Sequence, residues 1–347
     1  MAGCDCRQRG LTLTELMVGV AISLAVLAAL SSVYLSSRGA YRTNEALARL
    51  QESGRFALDW IVRDLRSAGF AGCQSRGPRI AVYSNPRPAE LATLVAVRGY
   101  ERAAGFAYPT GVERLAGDEH SDAVRIVAVD PAARADVEGD SDVAAASITI
   151  RENRPGFEPN DVLLVGDCER AAVFTVTGVQ DAPARLLHAA DRNGGLDTPT
   201  HQISPPFKEQ QQAFVARLDS VVYFIGRPKG RKDAPPSLYR AGIEKTEKVA
   251  ENVEDLDLLY GVDDDGDGTV DGYRRADEIG AGVWDRVLSV RVSLVAASAD
   301  AALAGAAQVI YLRDTDGDTV TDAQPPRGDR RLRQVFTTTV SLRNRLP

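Results

Sequence analysis

The sequence has no excess of lysine and arginine. Its 41 basic and 48 acidic residues are mixed along 347 positions, for a formal net charge of -7. Nucleic-acid phosphates demand concentrated positive charge, so no nucleic-acid partner is expected. Aromatic residues are scarce, at 6%, but 44% of the chain is apolar, much of it alanine and valine, so a sizeable core is available. Catalytic motifs are missing as well. There is no His-Glu-x-x-His, no Gly-x-Ser-x-Gly and no phosphate-binding glycine loop. The three histidines, His120, His188 and His201, lie in unrelated contexts. His120 stands beside Glu119 and near Asp122, but no nucleophile or pocket motif accompanies it, and a solvated loop accounts for it. No enzymatic activity is expected.

Cysteine is sparse, with four in all. Cys4-x-Cys6 has no second ligand pair nearby, and a zinc site normally takes four ligands from paired motifs. Charge is absent from Leu16 to Ser37, a run of 22 residues, where about 20 suffice to span a bilayer. The run is apolar on every face, unlike an amphipathic core helix. It is also longer than the roughly 7 to 15 apolar residues of a secretory signal. Arg7 and Arg9 precede it, which puts the N-terminus in the cytoplasm and the rest of the chain outside the inner membrane. There, Cys73 and Cys168 read as one disulfide in an oxidising compartment; two buried free thiols are the other reading.

Glu15 does not fit a plain anchor. A carboxylate at the edge of a span is costly, and a partner is expected for it, unless it simply sits at headgroup level. The stretch Gly10-Leu11-Thr12-Leu13-Thr14-Glu15-Leu16, followed by an uninterrupted apolar helix, resembles the class III signal of type IV prepilins. The resemblance implies cleavage after Gly10 by an inner-membrane prepilin peptidase and methylation of the new amine on Leu11. It also implies a filament in which packed N-terminal helices form an apolar core. An unpaired charge there is expensive, so Glu15 pairs with the Leu11 amine of a neighbouring subunit and sets its axial register. Removing the leader takes away Arg7, Arg9 and Asp5, a net +1, and changes the charge from -7 to -8.

Proline is absent before Pro78. From Ala40 to Ala68, Leu47, Leu50, Ala57, Ile61, Leu65 and Ala68 fall at steps of helical spacing on one stripe, and Gly69 and Gly72 are the candidate stops. Residues 11–69 then form one helix of roughly 85 to 90 Å at 1.5 Å per residue. Beyond Gly72 the pattern becomes short alternating runs. Strands are expected at 122–129, 147–151, 162–165, 172–176, 221–225, 287–295 and over the C-terminal run containing Phe336, Thr338, Val340 and Leu342.

Two further segments, Val253 to Asp263 with Trp284 after it, and the terminus RRLRQVFTTTVSLRNRLP, resemble the type IV pilus assembly family PilW. The resemblance covers residues 7–72 and 250–347; the middle is assigned by inclusion. It implies an α+β, type IV pilin-like fold: a long N-terminal α-helix, transmembrane in its first half, packed on a β-rich globular domain with an antiparallel sheet. The expected domains are a leader at 1–10, a pilin helix at 11–72 with its membrane span at about 13–36, and a periplasmic body at 73–347. The implied role is a minor pilin that primes assembly or forms the filament tip. Its expected partners are the prepilin peptidase, other minor pilins, the major pilin and a large tip adhesin. A J-like minor pseudopilin of type II secretion shares the leader and helix, and a membrane-anchored calcium-dependent adhesin is a rival of another class.

Asp263, Asp265, Asp267, Gly268 and Asp271 follow D-x-D-x-D-G-x-x-D. Calcium loops place oxygen ligands at the first, third and fifth positions and glycine at the sixth. The twelfth position, where an EF-hand has glutamate, is Arg274. A partial copy occurs at Asp314, Asp316, Asp318 and Asp322, with Thr319 in place of the glycine. Solvated Asp/Gly turns explain both equally well in the absence of an ion. No cofactor is required, and Ca2+ is the one ion these residues would suit.

Overall fold

The computed structural model describes residues 13–70, 79–85, 95–115, 121–139, 146–167, 170–194, 203, 207–209, 212–243, 245–301, 303–313, 322–324 and 328–344. The chain divides into two units, residues 1–49 and 50–347. A single helix, α1 (Leu13–Ser67), contributes to both.

In the first unit, α1 buries nothing up to Arg49. Leu16, Leu24 and Leu30 are each more than half exposed. The hydroxyls of Ser23, Ser32 and Thr43 donate back to Gly19 O (2.8 Å), Ala29 O (2.8 Å) and Gly39 O (3.1 Å). Polar groups satisfied within their own helix are what a membrane interior requires. The helix is long and apolar enough to cross a bilayer.

The second unit is β-rich. Its strands among the described residues are β1 (Arg79–Val82), β2 (Val97–Tyr100), β3 (Val112–Glu113), β4 (Ala123–Asp136), β5 (Ser147–Thr149), β6 (Val162–Gly166), β7 (Arg170–Thr175), β8 (Gly178–Asp181), β9 (Ala184–Leu187), β10 (Phe214–Pro228), β11 (Ser237–Ala241), β12 (Thr246–Glu251), β13 (Val253–Val262), β14 (Gly272–Arg274), β15 (Val287–Ala297), β16 (Ile310–Arg313), β17 (Asp322–Gln324) and β18 (Arg333–Ser341). A nine-stranded sheet runs β1-β7-β6-β10-β11-β12, with β4 and β3 also on β10 and β2 on β4. A four-stranded sheet runs β14-β13-β15-β18. Pairing in both is antiparallel except β1 with β7, which is parallel. Every strand expected from alternation is present. Phe214 to Pro228 extends well past the expected 221–225, and 123–136 continues beyond 129.

Both sheets close on the second part of α1. Leu50, Ala57, Ile61, Leu65 and Ala68 are buried, sharing one core with Leu256, Leu258, Val290, Val292 and Leu294 of the four-stranded sheet and with Ile126, Tyr223 and Ile225 of the larger one. Burying each leucine, isoleucine or valine side chain among them contributes about 1.5 to 3 kcal/mol. Leu47 departs from the expected stripe: it is 39% exposed, because the packing begins at Leu50. Gly54, by contrast, is buried without having been expected to be. A Cβ on it would lie 2.2 Å from the ring of Phe336, so the close seating of β18 on the helix requires glycine there. The helix ends at Ser67, and Gly69 takes φ +71 and donates its N–H to Val127 O at 2.9 Å. That left-handed turn is the stop the sequence suggested.

Candidate functional site

Glu15 sits in the first turn of α1 and is exposed. A carboxylate is favourable there, because the first amide N–H groups of a helix carry partial positive charge. Leu13, Leu16 and Met17 around it are 76%, 57% and 63% exposed, so an acid opens an apolar surface. Gly10 and Leu11, the expected processing residues, lie outside the described residues, as do Cys73, Cys168, His120 and His201.

The first acidic motif forms the turn between β13 and β14. Asp263 is buried, and its two oxygens accept the N–H groups of Gly266 (2.6 Å) and Gly268 (2.9 Å). Both glycines have positive φ, +83 and +88, which lets the backbone fold back over this carboxylate. Asp265 and Asp267 are exposed, and each of Asp263, Asp265 and Asp267 offers an oxygen within 4.8 Å of the others. Thr269 donates its hydroxyl and its N–H to Asp267 Oδ1, both at 2.7 Å, which holds that carboxyl below its usual range. Three carboxylates at alternate positions form a hard oxygen set of the kind calcium takes.

One expected ligand of that motif, Asp271, behaves otherwise. Asp271 is not in the group: its Oδ2 accepts the Asp264 N–H at 2.7 Å and braces the base of the turn. Arg274, at the twelfth position, pairs with Asp264, and Arg286 donates to Asp264 O at 2.7 Å. These two arginines secure the turn from outside while the three carboxylates face one another. Of the second motif, Asp314, Asp316 and Asp318 lie outside the described residues, and Asp322 opens β17.

His188 and Asp122 are structural. Burial pushes the His188 imidazole down to about 4, and its ring stands edge-on to Phe174 at 5.8 Å. Asp122 accepts the N–H groups of Arg102 (2.8 Å) and Leu258 (2.9 Å), fastening one sheet to the other.

Sequence reasoning missed two charge networks. Asp64 on α1 accepts the Tyr223 hydroxyl (2.7 Å) and the Arg240 Nε (2.8 Å), and Arg240 also reaches Asp219 at 3.2 Å. Burial works against the charge on Arg240, but the Asp64 hydrogen bond overrides it and holds the guanidinium above its usual range. Arg333 at the start of β18 grips Glu254 with two nitrogens, at 2.7 and 3.1 Å, both side chains almost wholly buried. Both partners of this second network stand in the quoted Val253–Asp263 and C-terminal segments. Arg240 as the one charge in β11 and Arg333 as the one charge in β18 were the available signals.

Comparison with known proteins adds three findings. The family model of the Type IV Pilus-assembly protein W matches residues 222–344. The Prokaryotic N-terminal methylation motif matches residues 5–31. A solved type IV-like pilin from Thermus thermophilus aligns at a TM-score of 0.33 and 11% identity, over 85% of this chain and 98% of that one. No curated protein matches.

Proposed function

We infer, from a methylation motif at one end and a pilus-assembly region at the other, that this chain is a PilW-like minor pilin of type IV pilus biogenesis. Its role is structural, carried by an N-terminal apolar helix and a β-rich body. Its partners are other pilins and the prepilin peptidase. The observation that carries the reading is the acid at Glu15 opening an apolar helix of membrane-spanning length, inside the matched motif.

The finer reading is as follows. The chain is held in the inner membrane with its N-terminus in the cytoplasm and its body in the periplasm. The peptidase cuts after Gly10 and methylates Leu11. In the filament, Glu15 neutralises the Leu11 amine of the next subunit, and the protein acts with other minor pilins and a large adhesin at the tip. Cys73 and Cys168 form one disulfide, a reading supported by their both following the span. Intact-mass and N-terminal analysis of the membrane form tests this. The expected product starts at methylated Leu11 and lacks two hydrogens before reduction. A chain still starting at Met1 or Ala2 in cells with active peptidase defeats the reading.

The grouping of Asp263, Asp265 and Asp267 supports a second, additional role for the body, as a calcium-binding domain. The buried Asp263 would fix the ion at the base of the turn, and Asp265 and Asp267 would close over it from the solvent side. With arginine at the twelfth position, water completes the shell, which suits a weak extracellular-type site.

A further inference from the structure

The charge-free run of α1 ends at Ser37. Its 22 residues rise about 33 Å at 1.5 Å per residue, against roughly 30 Å of bilayer hydrocarbon. Arg38 is therefore the first charge to emerge, at headgroup depth. Arg42 follows one turn later on the same side of the helix, and Tyr34 and Tyr41 stand four and three residues from Arg38 on that side. The Arg38 guanidinium lies 5.9 Å from the centre of the Tyr34 ring. Both tyrosines are more than half exposed, at 61% and 69%.

The two arginines have no acid to pair with. From Val33 to Arg49 the chain carries three arginines, Arg38, Arg42 and Arg49, and one acid, Glu45, a net +2 in a protein of net -7. Glu45 is taken by Arg49 at 2.7 Å. Among the described residues no salt bridge reaches Arg38 or Arg42, and both side chains are exposed. The positive excess thus sits in one band, directly beyond the apolar span and flanked by tyrosine.

We propose that this band is a collar for anionic phospholipid on the body's side of the bilayer, with Arg38 and Arg42 holding headgroup phosphates and Tyr34 and Tyr41 seated at the interface beside them. Positive side chains next to a span are drawn to anionic headgroups. Arginine lays its stem along apolar surface while its head reaches the polar layer. Tyrosine collects at this depth because its ring is apolar and its hydroxyl polar. An acidic segment of another protein would match the charge. It gives no reason for that charge to begin one bilayer thickness along an apolar helix. The inference rests on the reading of α1 as a membrane-spanning helix, and needs neither leader cleavage nor a filament.

The test is native mass spectrometry of the full chain in detergent, with equal amounts of phosphatidylglycerol and phosphatidylcholine of the same acyl chains added. Wild type retains phosphatidylglycerol in preference to phosphatidylcholine. Arg38→Gln/Arg42→Gln lowers the ratio of the two at least about fivefold, as the loss of charge from an anionic interface does. Arg38→Lys/Arg42→Lys, which keeps the charge, keeps the ratio. Arg55→Gln/Arg63→Gln, which removes two exposed arginines further along the helix, leaves it unchanged. Should the double glutamine variant fail to fold, Arg42→Gln decides, since no described ring or acid holds Arg42. Equal retention of the two lipids by wild type, an unchanged ratio in Arg38→Gln/Arg42→Gln, or an equal fall in Arg55→Gln/Arg63→Gln overturns the proposal and leaves the membrane span standing. Retention of neither lipid overturns the span as well. An unchanged ratio together with loss of this variant from sheared pili would assign the band to acids of a neighbouring subunit instead.

Discussion

Residues 13–49 and 50–67 belong to one helix, yet they solve opposite problems. The first stretch is free of charge from Leu16 to Ser37, buries nothing, and closes the hydroxyls of Ser23, Ser32 and Thr43 on its own carbonyls. The second carries a narrow stripe, Leu50, Ala57, Ile61 and Leu65, that is almost wholly buried, with Arg55, Asp59 and Arg63 elsewhere on its surface. Helical geometry is the same in both. What differs is whether apolar residues surround the axis or share one side of it. The contrast separates a segment built to meet lipid or other helices from one built to hold two sheets.

Replacing Glu15 by alanine breaks the comparison most severely. If Glu15 neutralises the Leu11 amine of the next subunit as proposed, the change leaves that amine unpaired in an apolar filament core, at about 3 to 5 kcal/mol, so incorporation into sheared pili should fall more than about a hundredfold. The melting temperature of the body should not move. Unchanged incorporation, measured by immunoblot, would remove the basis for the register role.

Ile61→Ala and Leu24→Ala make a matched pair across the two stretches. The first opens a cavity between the sheets and should cost about 2 to 5 kcal/mol of body stability. The second touches no core and should stay within about 0.5 kcal/mol. Thermal melts in detergent measure both, and equal losses would mean that the two stretches are not distinct.

Acid should act on the body through His188. Its folded-state value, about 4, lies below the 6.5 of the free imidazole, so the unfolded chain takes the proton first. Its contribution is therefore complete above pH 6.5 and is lost as pH falls from 6.5 towards 4, by on the order of 1 to 3 kcal/mol. Comparing melts of wild type and His188→Leu across that window isolates the effect. An identical slope in both proteins would contradict it.

The smallest expected effect is that of calcium. At a few millimolar it should stabilise the body by about 1 kcal/mol, and Asp265→Ala should abolish the gain. A melt of wild type that ignores calcium would discard the second role of the acidic turn.

How much of this was legible in the sequence depended on distance along the chain. The apolar run, the acid at its head and the helical stripe are local patterns, and each appears where periodicity put it. So do the alternating faces of Val287–Ala297 and Arg333–Ser341. Leu47 was misjudged because periodicity shows which side of a helix is apolar but not where its partner begins. The parallel pairing of β1 with β7 joins Arg79 to Arg170, with no turn signal between them to announce it. The acidic turn was legible as a motif, but the roles of Asp271 and Arg274 depended on backbone geometry. Asp64 and Arg240 lie 176 residues apart, and Glu254 and Arg333 lie 79 apart, so no spacing rule could join them.

The seating of Phe336 over Gly54 has a bearing on how the protein is made. The last strand supplies Phe336 and Val340 to the core, and the Asn344 amide donates to Ser67 O and Ala68 O at the helix end. A ribosome must therefore finish the chain before residues 50–68 can be fully enclosed. A product truncated before Arg333 would emerge with Gly54 and the helix surface beneath Phe336 uncovered, ready prey for quality-control proteases.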